Sequence, residues 1–259
     1  MGCIFTFADA EWMDSVDSTN DELKRRLRAG AVPAGAVLAA KRQTGGRGRM
    51  GRTWVSPEGT GLFFSFVWRG KIAPMRAGTL PMACSLGVRD FLGGFEIEAW
   101  CKWPNDVLTA KGKLCGILTE SAIEPDGAVA LVIGIGVNVR RDPVRDMQVT
   151  QPASCIADFV EDPGSVESAL SSVLACVEKR VREWDAGGFS AVRNDFENAL
   201  RGKGSRATVR TGSAGAVSGV IEGLGDDGAL LVRLSDGTLY PVTSAAALEA
   251  DEGTMLDSR

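Results

Sequence analysis

The run from Ala130 to Val139 constrains the fold most, because it reads A-L-V-I-G-I-G-V-N-V and contains no charged side chain. A continuous apolar run of this length is typical of a strand that is buried on both faces, and it predicts a sheet flanked by helices. Side chains alternate along a strand, so Gly134, Gly136 and Asn138 share one face. The two glycines indicate either a bare strip of backbone for a flat ligand or close packing of a neighbouring strand.

The segment from Lys41 to Trp54 reads K-R-Q-T-G-G-R-G-R-M-G-R-T-W, with five basic residues and four glycines. Glycine favours a backbone that turns sharply or lies close to another group. Arg47, Arg49 and Arg52 each carry a planar guanidinium that suits carboxylate and phosphate. The segment predicts either a hinged lid over an anionic small molecule or a solvated basic loop with weak affinity for nucleic acid.

A helix is predicted from Asp17 to Gly30, with Thr19 and Glu22 as its capping box. Ser18, Thr19 and Asn20 then lie at its N-terminus, where free backbone N–H groups suit a polar or anionic ligand. They could equally serve only to cap the helix.

Other patterns predict three strands and three helices. We expect strands at Ala36–Ala40, Leu62–Trp68 and Glu98–Lys102, and helices at Thr79–Gly94, Ser165–Trp184 and Phe189–Leu200. Pro104 sets a turn directly after the third strand in the segment K-W-P-N-D, which presents Lys102, Asn105 and Asp106 at a strand end.

The composition changes from about Arg201, where short alternating segments begin. They predict strands at Ala207–Arg210, Ala216–Glu222, Ala229–Leu234 and Thr238–Val242. This spacing is typical of a small antiparallel barrel. We therefore divide the chain into residues 1–203 and 204–259.

The composition also excludes several mechanisms. The chain has no histidine, which rules out a Ser-His-Asp or Cys-His mechanism and a His-ligated zinc site. Its net charge of −4 argues against a general nucleic-acid binder. Six cysteines without C-x-x-C spacing indicate free thiols in a reducing compartment, and no apolar run reaches the length of a membrane span. We expect a cytoplasmic protein.

Five motifs together resemble the biotin protein ligases, in that family's order. They are S-T-N (18–20), Q-T-G-G-R-G-R-M-G-R-T-W (43–54), K-W-P-N-D (102–106), G-K-L-C-G-I-L (112–118) and G-I-G-V-N (134–138). The resemblance implies an α/β (α+β) domain with a mixed β-sheet flanked by helices, followed by a small C-terminal β-barrel of the Src-homology type. It also implies that biotin and ATP form biotinyl-5′-AMP, and that a lysine of a carrier protein then takes the biotinyl group.

The resemblance also implies the site residues. The catalytic residues would be Lys113, Asp106 and Arg49. Biotin would be held by Ser18, Thr19, Asn20, Gln43, Gly46, Arg47, Gly48, Arg49, Lys113 and Gly116. ATP and the adenylate would be held by Arg47, Arg49, Arg52, Trp54, Lys102, Asn105 and Asn138. For Lys102 we expect a phosphate contact, with a fold-stabilising ion pair as the alternative. No dedicated metal site is expected, and Mg²⁺ would accompany the triphosphate.

The expected partner is a biotin carboxyl carrier protein or domain, and a homodimer is possible because dimers occur in the family. Only 17 residues precede Ser18, which predicts a ligase without the helix-turn-helix domain of the larger members and without specific DNA binding. A lipoate–protein ligase or octanoyl transferase of related fold is the nearest alternative. A nucleic-acid module that uses the arginine-bearing segment from Lys41 to Trp54, called the arginine loop below, is the alternative from another class.

Overall fold

The computed structural model of the chain describes residues 5–30, 32–70, 74–143, 151–211, 215–244 and 247–250. Within these ranges the larger sheet has seven strands in the order β1-β2-β3-β7-β6-β5-β4. The strands are β1 (Ala10–Val16), β2 (Val37–Gln43), β3 (Gly61–Arg69), β4 (Trp100–Lys102), β5 (Asp106–Thr109), β6 (Gly112–Ile123) and β7 (Val129–Asn138). Strands β1 and β2 are parallel and the other neighbours are antiparallel, so the predicted mixed sheet is confirmed.

Helices cover both faces of this sheet. They are α1 (Thr19–Arg28), α2 (Pro74–Ala77), α3 (Leu80–Gly93), α4 (Val166–Gly187) and α5 (Ser190–Ala199). On one face, Leu23 and Leu27 of α1 pack in a small apolar cluster with β2, β3, β6 and β7. The main core lies on the other face, beneath α3, α4 and α5. No helix in the described part of the chain is long and apolar enough to cross a membrane.

The predicted helices are confirmed, but the capping box is wrong. Ser18 is the N-cap of α1: its backbone is extended and its hydroxyl accepts from the Asp21 N–H. The Thr19 N–H instead donates to Gln43 Oε1, and the Glu22 carboxylate pairs with arginines of its own helix. The signal was displaced by one residue because Ser18 and Thr19 are both good caps.

A second, antiparallel sheet follows, with five strands in the order β11-β10-β9-β8-β12 among the described residues. They are β8 (Arg206–Thr211), β9 (Gly215–Leu224), β10 (Leu230–Arg233), β11 (Leu239–Val242) and β12 (Ala247–Ala250). Four of them match the predicted strands. β12, which pairs with β8, was not predicted.

The two sheets are joined by a shared core and by specific hydrogen bonds. Leu224, Leu230 and Val232 of the second sheet belong to the same buried apolar cluster as α3 and β3. The buried Trp103 Nε1 donates to the Gly228 carbonyl at 2.9 Å, which ties the K-W-P-N-D turn to the turn between β9 and β10.

The described cysteines are all free thiols, as predicted. Cys84, Cys101, Cys115 and Cys155 are buried and Cys176 is partly exposed, whereas Cys3 lies outside the described residues. Burial raises the pKa of Cys101 to about 12. A thiol with so high a pKa is protonated at neutral pH and is a poor nucleophile.

Candidate active site

One end of the seven-stranded sheet opens into a cavity of about 590 Å³. Its walls come from the start of α1, the loop after β2, the turn between β4 and β5, and strands β5 to β7. Every residue that the sequence predicted for the site lines this cavity, with the exception of Gly46. Five of the lining side chains are cations and one is a carboxylate, so the cavity favours an anionic ligand.

A network of uncharged side chains forms the floor beneath the start of α1. Thr19 donates from its backbone N–H and its hydroxyl to Gln43 Oε1, at 2.9 and 3.2 Å. Its hydroxyl also lies 2.6 Å from Ser65 Oγ, which donates to Asn20 Oδ1 at 2.6 Å. Ser18, Thr19 and Asn20 are buried and Ser65 is fully buried. The sequence predicted Ser18, Thr19, Asn20 and Gln43 for the ligand, and in the structure Ser65 and Gln43 hold Thr19 and Asn20 in one hydrogen-bonded network.

The arginine loop forms a hairpin. Its stem pairs Gln43 with Ser56, and the Trp54 N–H donates to the Gly46 carbonyl at 2.9 Å. Gly46 has a structural reason to be glycine, since a Cβ there would lie 2.4 Å from the Trp54 carbonyl oxygen. At the tip, Met50 adopts a left-handed backbone with φ 57° and is mostly exposed.

Arg49 reaches from the loop to the K-W-P-N-D turn. Its Nη1 donates to Asn105 Oδ1 at 3.0 Å, and Asn105 in turn donates to the Ile117 carbonyl at 2.7 Å. Burial lowers the pKa of the Arg49 guanidinium; the charge of Asp106 opposes this and the charge of Arg52 adds to it. A guanidinium that has lost part of its hydration is well placed to bind an anion.

Lys113 and Asp106 form an ion pair inside the cavity. Their Nζ and Oδ1 atoms are 2.8 Å apart, and both side chains are mostly buried. Asp106 Oδ1 forms no well-directed hydrogen bond with the described residues, so the contact is mainly one of charge. The Lys113 ammonium also lies 5.4 Å from the centre of the Trp54 ring system. The pairing brings the start of β5 against the start of β6, where the sequence placed two separate motifs.

On the glycine face of β7, side chains of the protein pack against the backbone, and both Gly134 and Gly136 also line the cavity. A Cβ at Gly136 would lie 2.5 Å from the Trp54 indole, and one at Gly134 would lie 2.4 Å from Asn20 Oδ1. Gly116 on β6 is similarly close to the Trp54 ring. The three glycines therefore admit the indole and the carboxamide, and the Trp54 Nε1 is buried without a partner among the described residues.

The other predicted residues occupy distinct places in the lining. Asn138 donates from Nδ2 to the Ser154 carbonyl at 3.0 Å and to the Lys113 carbonyl at 3.3 Å, so it fixes the backbone beside the ion pair. Arg47 pairs with carboxylates of α1 and β6, and Arg52 and Lys102 lie along the wall.

Comparisons with known proteins agree with this architecture. The Biotin/lipoate A/B protein ligase family matches residues 12–138, and the biotin protein ligase C-terminal domain matches residues 204–246. The chain is 33% identical over 227 residues to the biotin–[acetyl-CoA-carboxylase] ligase of Paracoccus denitrificans, covering 84% of this chain and 91% of that one. This chain belongs to the biotin protein ligase family. The ligase is also 31% identical over 226 residues to the bifunctional ligase/repressor BirA of Bacillus subtilis, covering 85% of this chain and 68% of that protein.

A solved structure supports the same assignment. The biotin protein ligase of Aquifex aeolicus, in complex with biotin and ATP, superposes on this ligase with a TM-score of 0.79 at 27% identity. The match covers 94% of this chain and all of that one. The match to the biotin-specific C-terminal domain family favours a biotin ligase over the lipoate enzymes that share the catalytic family.

Two residues around the cavity were missed from the sequence. Ser65 is a single hydroxyl in the apolar run L-F-F-S-F-V-W, and that interruption was the available signal. Glu120 closes the segment G-I-L-T-E and binds a loop arginine 73 positions away. No local pattern indicates such a pairing, since it depends on how β6 lies beside the loop.

Proposed function

We propose that this ligase activates biotin with ATP as biotinyl-5′-AMP and then transfers the biotinyl group to a lysine of a biotin carboxyl carrier protein or domain. The observation that carries the proposal is the Lys113–Asp106 ion pair, set in a cationic cavity beside the arginine loop. The family relationship narrows the reaction class to ligation, and the charges of the cavity agree with it.

In the first step a carboxylate oxygen of biotin attacks the α-phosphorus of ATP, and the bond to the leaving pyrophosphate breaks. Two anions must approach each other while charge builds on the phosphoryl oxygens. Lys113, Arg49 and Arg52 line the cavity as fixed cations for this charge. Such preorganised electrostatic stabilisation needs no covalent intermediate on the protein and no histidine.

In the second step the amine of the carrier lysine attacks the carbonyl carbon of the mixed anhydride. The carbon–oxygen bond to phosphate breaks, AMP leaves, and the nitrogen loses a proton. Asp106 is the candidate acceptor of that proton, because its carboxylate lies in the cavity beside Lys113. Closure of the arginine loop would keep water away from the reactive anhydride.

The remaining lining residues divide by chemistry. The neutral floor suits the uncharged ureido ring and body of biotin, and we assign Ser18, Thr19, Asn20 and Gln43 to it. We assign the backbone at Gly48 and Gly116 to the same ligand, whereas Gly46, which does not line the cavity, would act by shaping the loop. We assign the adenylate side to Trp54, Lys102, Asn105 and Asn138, with Arg47 as a further predicted contact of both ligands.

Mg²⁺ would enter with the nucleotide as MgATP. The described residues contain no group of three or more histidine, cysteine or acidic side chains that could hold a metal ion. The donor set fits an ion coordinated mostly by phosphate oxygens and water, with at most one carboxylate. Its charge would offset that of the triphosphate.

Several finer features stay predictions. We propose that the five-stranded C-terminal sheet is a barrel of the Src-homology type, and that the domains comprise residues 1–203 and 204–259. A homodimer, the absence of specific DNA binding and a cytoplasmic location are retained as predictions in the same way.

Mass spectrometry of a carrier domain incubated with the ligase, biotin and MgATP tests the proposal. We expect one added biotinyl group on one lysine, and none when ATP is omitted. Lipoate in place of biotin should give no product. Transfer of lipoate at a rate comparable to biotin would favour the alternative enzyme, and no transfer of either would refute the proposed reaction.

A further inference from the structure

The first arginine of the loop is bound to the body of the protein. Arg47 Nη2 lies 2.8 Å from Asp21 Oδ1, and 2.8 and 3.0 Å from the two carboxylate oxygens of Glu120. Asp21 is in the first turn of α1 and Glu120 is in β6. One guanidinium therefore joins three separate segments of the chain.

Glu120 is the centre of this cluster. It also accepts from Lys24 Nζ at 2.7 Å and from Asn20 Nδ2 at 2.8 Å. Lys24 lies 2.9 Å from Asp21 as well. Two cations and two carboxylates thus balance, and each carboxylate is shared between both cations.

The cluster is more than an exposed surface pair. The side chain of Lys24 is 11% exposed, that of Glu120 is 25% exposed and that of Asp21 is 26% exposed. An isolated pair in open solvent contributes little, because its charges are screened and its side chains must be ordered. Here the carboxylates are already held by Lys24 and Asn20, so less ordering is needed when Arg47 binds.

Two arginines attach the loop to different parts of the chain around the cavity. Arg47 binds α1 and β6, whereas Arg49 binds Asn105 in the turn after β4. The loop is thus attached to the rest of the chain at two places beside the cavity. Loss of the Arg47 contacts would leave the tip attached to the body through fewer bonds and would raise the population of open states.

We propose that Glu120 is a positioning residue that holds the arginine loop over the cavity through Arg47, which acts as the latch. Glu120 need not touch biotin or ATP for this role. The consequence for the reaction, slower escape of biotinyl-5′-AMP, rests on the proposed function. The latch itself rests on contacts within the protein and is tested separately.

Limited digestion with trypsin in the absence of ligands tests the latch. The masses of the fragments report cleavage after Arg49 and after Arg52. Cleavage after Arg47 is not used, because the ion pairs of Arg47 would themselves protect that bond from trypsin. Glu120→Gln should raise the cleavage rate at these two sites by about three- to tenfold, because the loop opens more often. Unchanged cleavage would overturn the proposal.

Glu124→Gln is the matched control. Glu124 accepts from Arg69 Nε at 2.6 Å and from Arg69 Nη2 at 2.9 Å, away from the loop. This variant should leave loop cleavage at the wild-type rate. Equal acceleration in both variants would show a general loss of stability instead of a latch, and thermal unfolding of both variants checks that each is folded.

A double-mutant cycle identifies the path of the effect. The release rate of biotinyl-5′-AMP is measured for Arg47→Gln, Glu120→Gln and the combination. If Glu120 acts through Arg47, each single variant releases the adenylate about three- to tenfold faster and the double variant is no faster than Arg47→Gln. Additive effects would instead show that Glu120 acts through its hydrogen bond with Asn20, and they would refute the latch.

The kinetic constants give a further readout. We expect the variants to raise KM for biotin more than they lower kcat, and Glu120→Asp to restore part of the loss because it keeps the charge. A wild-type protein that forms no adenylate would refute the proposed function, whereas the trypsin result would still decide the latch.

Discussion

The floor of the cavity and the arginine loop that also lines it are built from opposite kinds of side chain. At the floor, Thr19, Asn20 and Ser65 are uncharged and at most 3% exposed, and they bind one another. In the arginine loop, Arg47 is 39% exposed and pairs with carboxylates, and Met50 is 60% exposed. A buried neutral network is rigid because each broken bond leaves an unsatisfied group. Charged groups near solvent can exchange partners at low cost.

In the function proposed above, this difference would separate recognition from chemistry. The floor would select biotin by shape and hydrogen bonding, whereas the cationic side chains of the arginine loop and of Lys113 would stabilise the transition state. Substitutions at the charged side should therefore reduce reaction rates with the fold intact. Those at the floor should reduce stability and biotin affinity together.

The largest effect should come from Lys113→Ala. Removal of a fixed cation from a preorganised site costs about a thousandfold in rate. Pyrophosphate release should fall by this factor, and the melting temperature should fall as well, because the mostly buried Asp106 carboxylate loses its charge partner. Lys111→Ala is the control on the same hairpin, because the Lys111 side chain binds the Asp158 carbonyl outside the cavity. Comparable losses in both variants would contradict a specific role for Lys113.

Asp106→Asn should act on the second step. Loss of a positioned proton acceptor costs about a hundredfold in transfer rate. Biotinyl-5′-AMP should still form and accumulate, which single-turnover assays with and without carrier can separate. Normal transfer in this variant would remove Asp106 from the mechanism.

Ser65→Ala probes the floor. The substitution removes the hydroxyl that contacts both Asn20 Oδ1 and the Thr19 hydroxyl. Because these groups are buried, the free energy of unfolding should fall by about 1–3 kcal/mol. Urea unfolding measures this cost, and KM for biotin should rise in parallel. Ser85→Ala is the matched control: Ser85 is also fully buried, but the one hydrogen bond of its hydroxyl among the described residues goes to a carbonyl of its own helix. A smaller loss for Ser65 than for Ser85 would refute the rigid floor.

The smallest effect concerns the pH dependence of the lid. Burial acts to raise the pKa of Glu120, but hydrogen bonds from Lys24 and Asn20 and the charges of Lys24 and Arg47 outweigh it, so the pKa lies below 4.5. A lowered folded-state pKa stabilises the protein above the unfolded value and loses that effect as the pH falls. At neutral pH the free energy of unfolding of the wild type should exceed that of Glu120→Gln by about 1 kcal/mol or less.

Chemical unfolding across the acid range tests this sign. The difference in the free energy of unfolding between wild type and Glu120→Gln should stay constant down to about pH 5. It should shrink as the pH falls through the folded-state pKa of Glu120. A difference that grew on acidification would contradict it.

The sequence predicted the site better than the contacts within it. Glycine and arginine motifs carry their chemistry in the residue types, so the lining residues from Ser18 to Asn138 could be found without coordinates. Strand β1 was missed because its residues are mostly exposed or half-buried and show no apolar run. The Trp54 stack on Gly136 and the Arg47 pairing with Glu120 depend on how distant segments lie together, which local patterns do not encode.

The bond from Trp103 to Gly228 has a consequence for cutting the chain in two. A fragment that ended near residue 203 would expose the Trp103 indole and remove the acceptor of its N–H. It would also open the core that Leu224 and Leu230 help to fill. Because that indole belongs to the turn that presents Asn105 and Asp106, the damage would reach the cavity itself. The five-stranded sheet thus supports the turn that lines the cavity. Heating should therefore unfold the two sheets in a single cooperative transition.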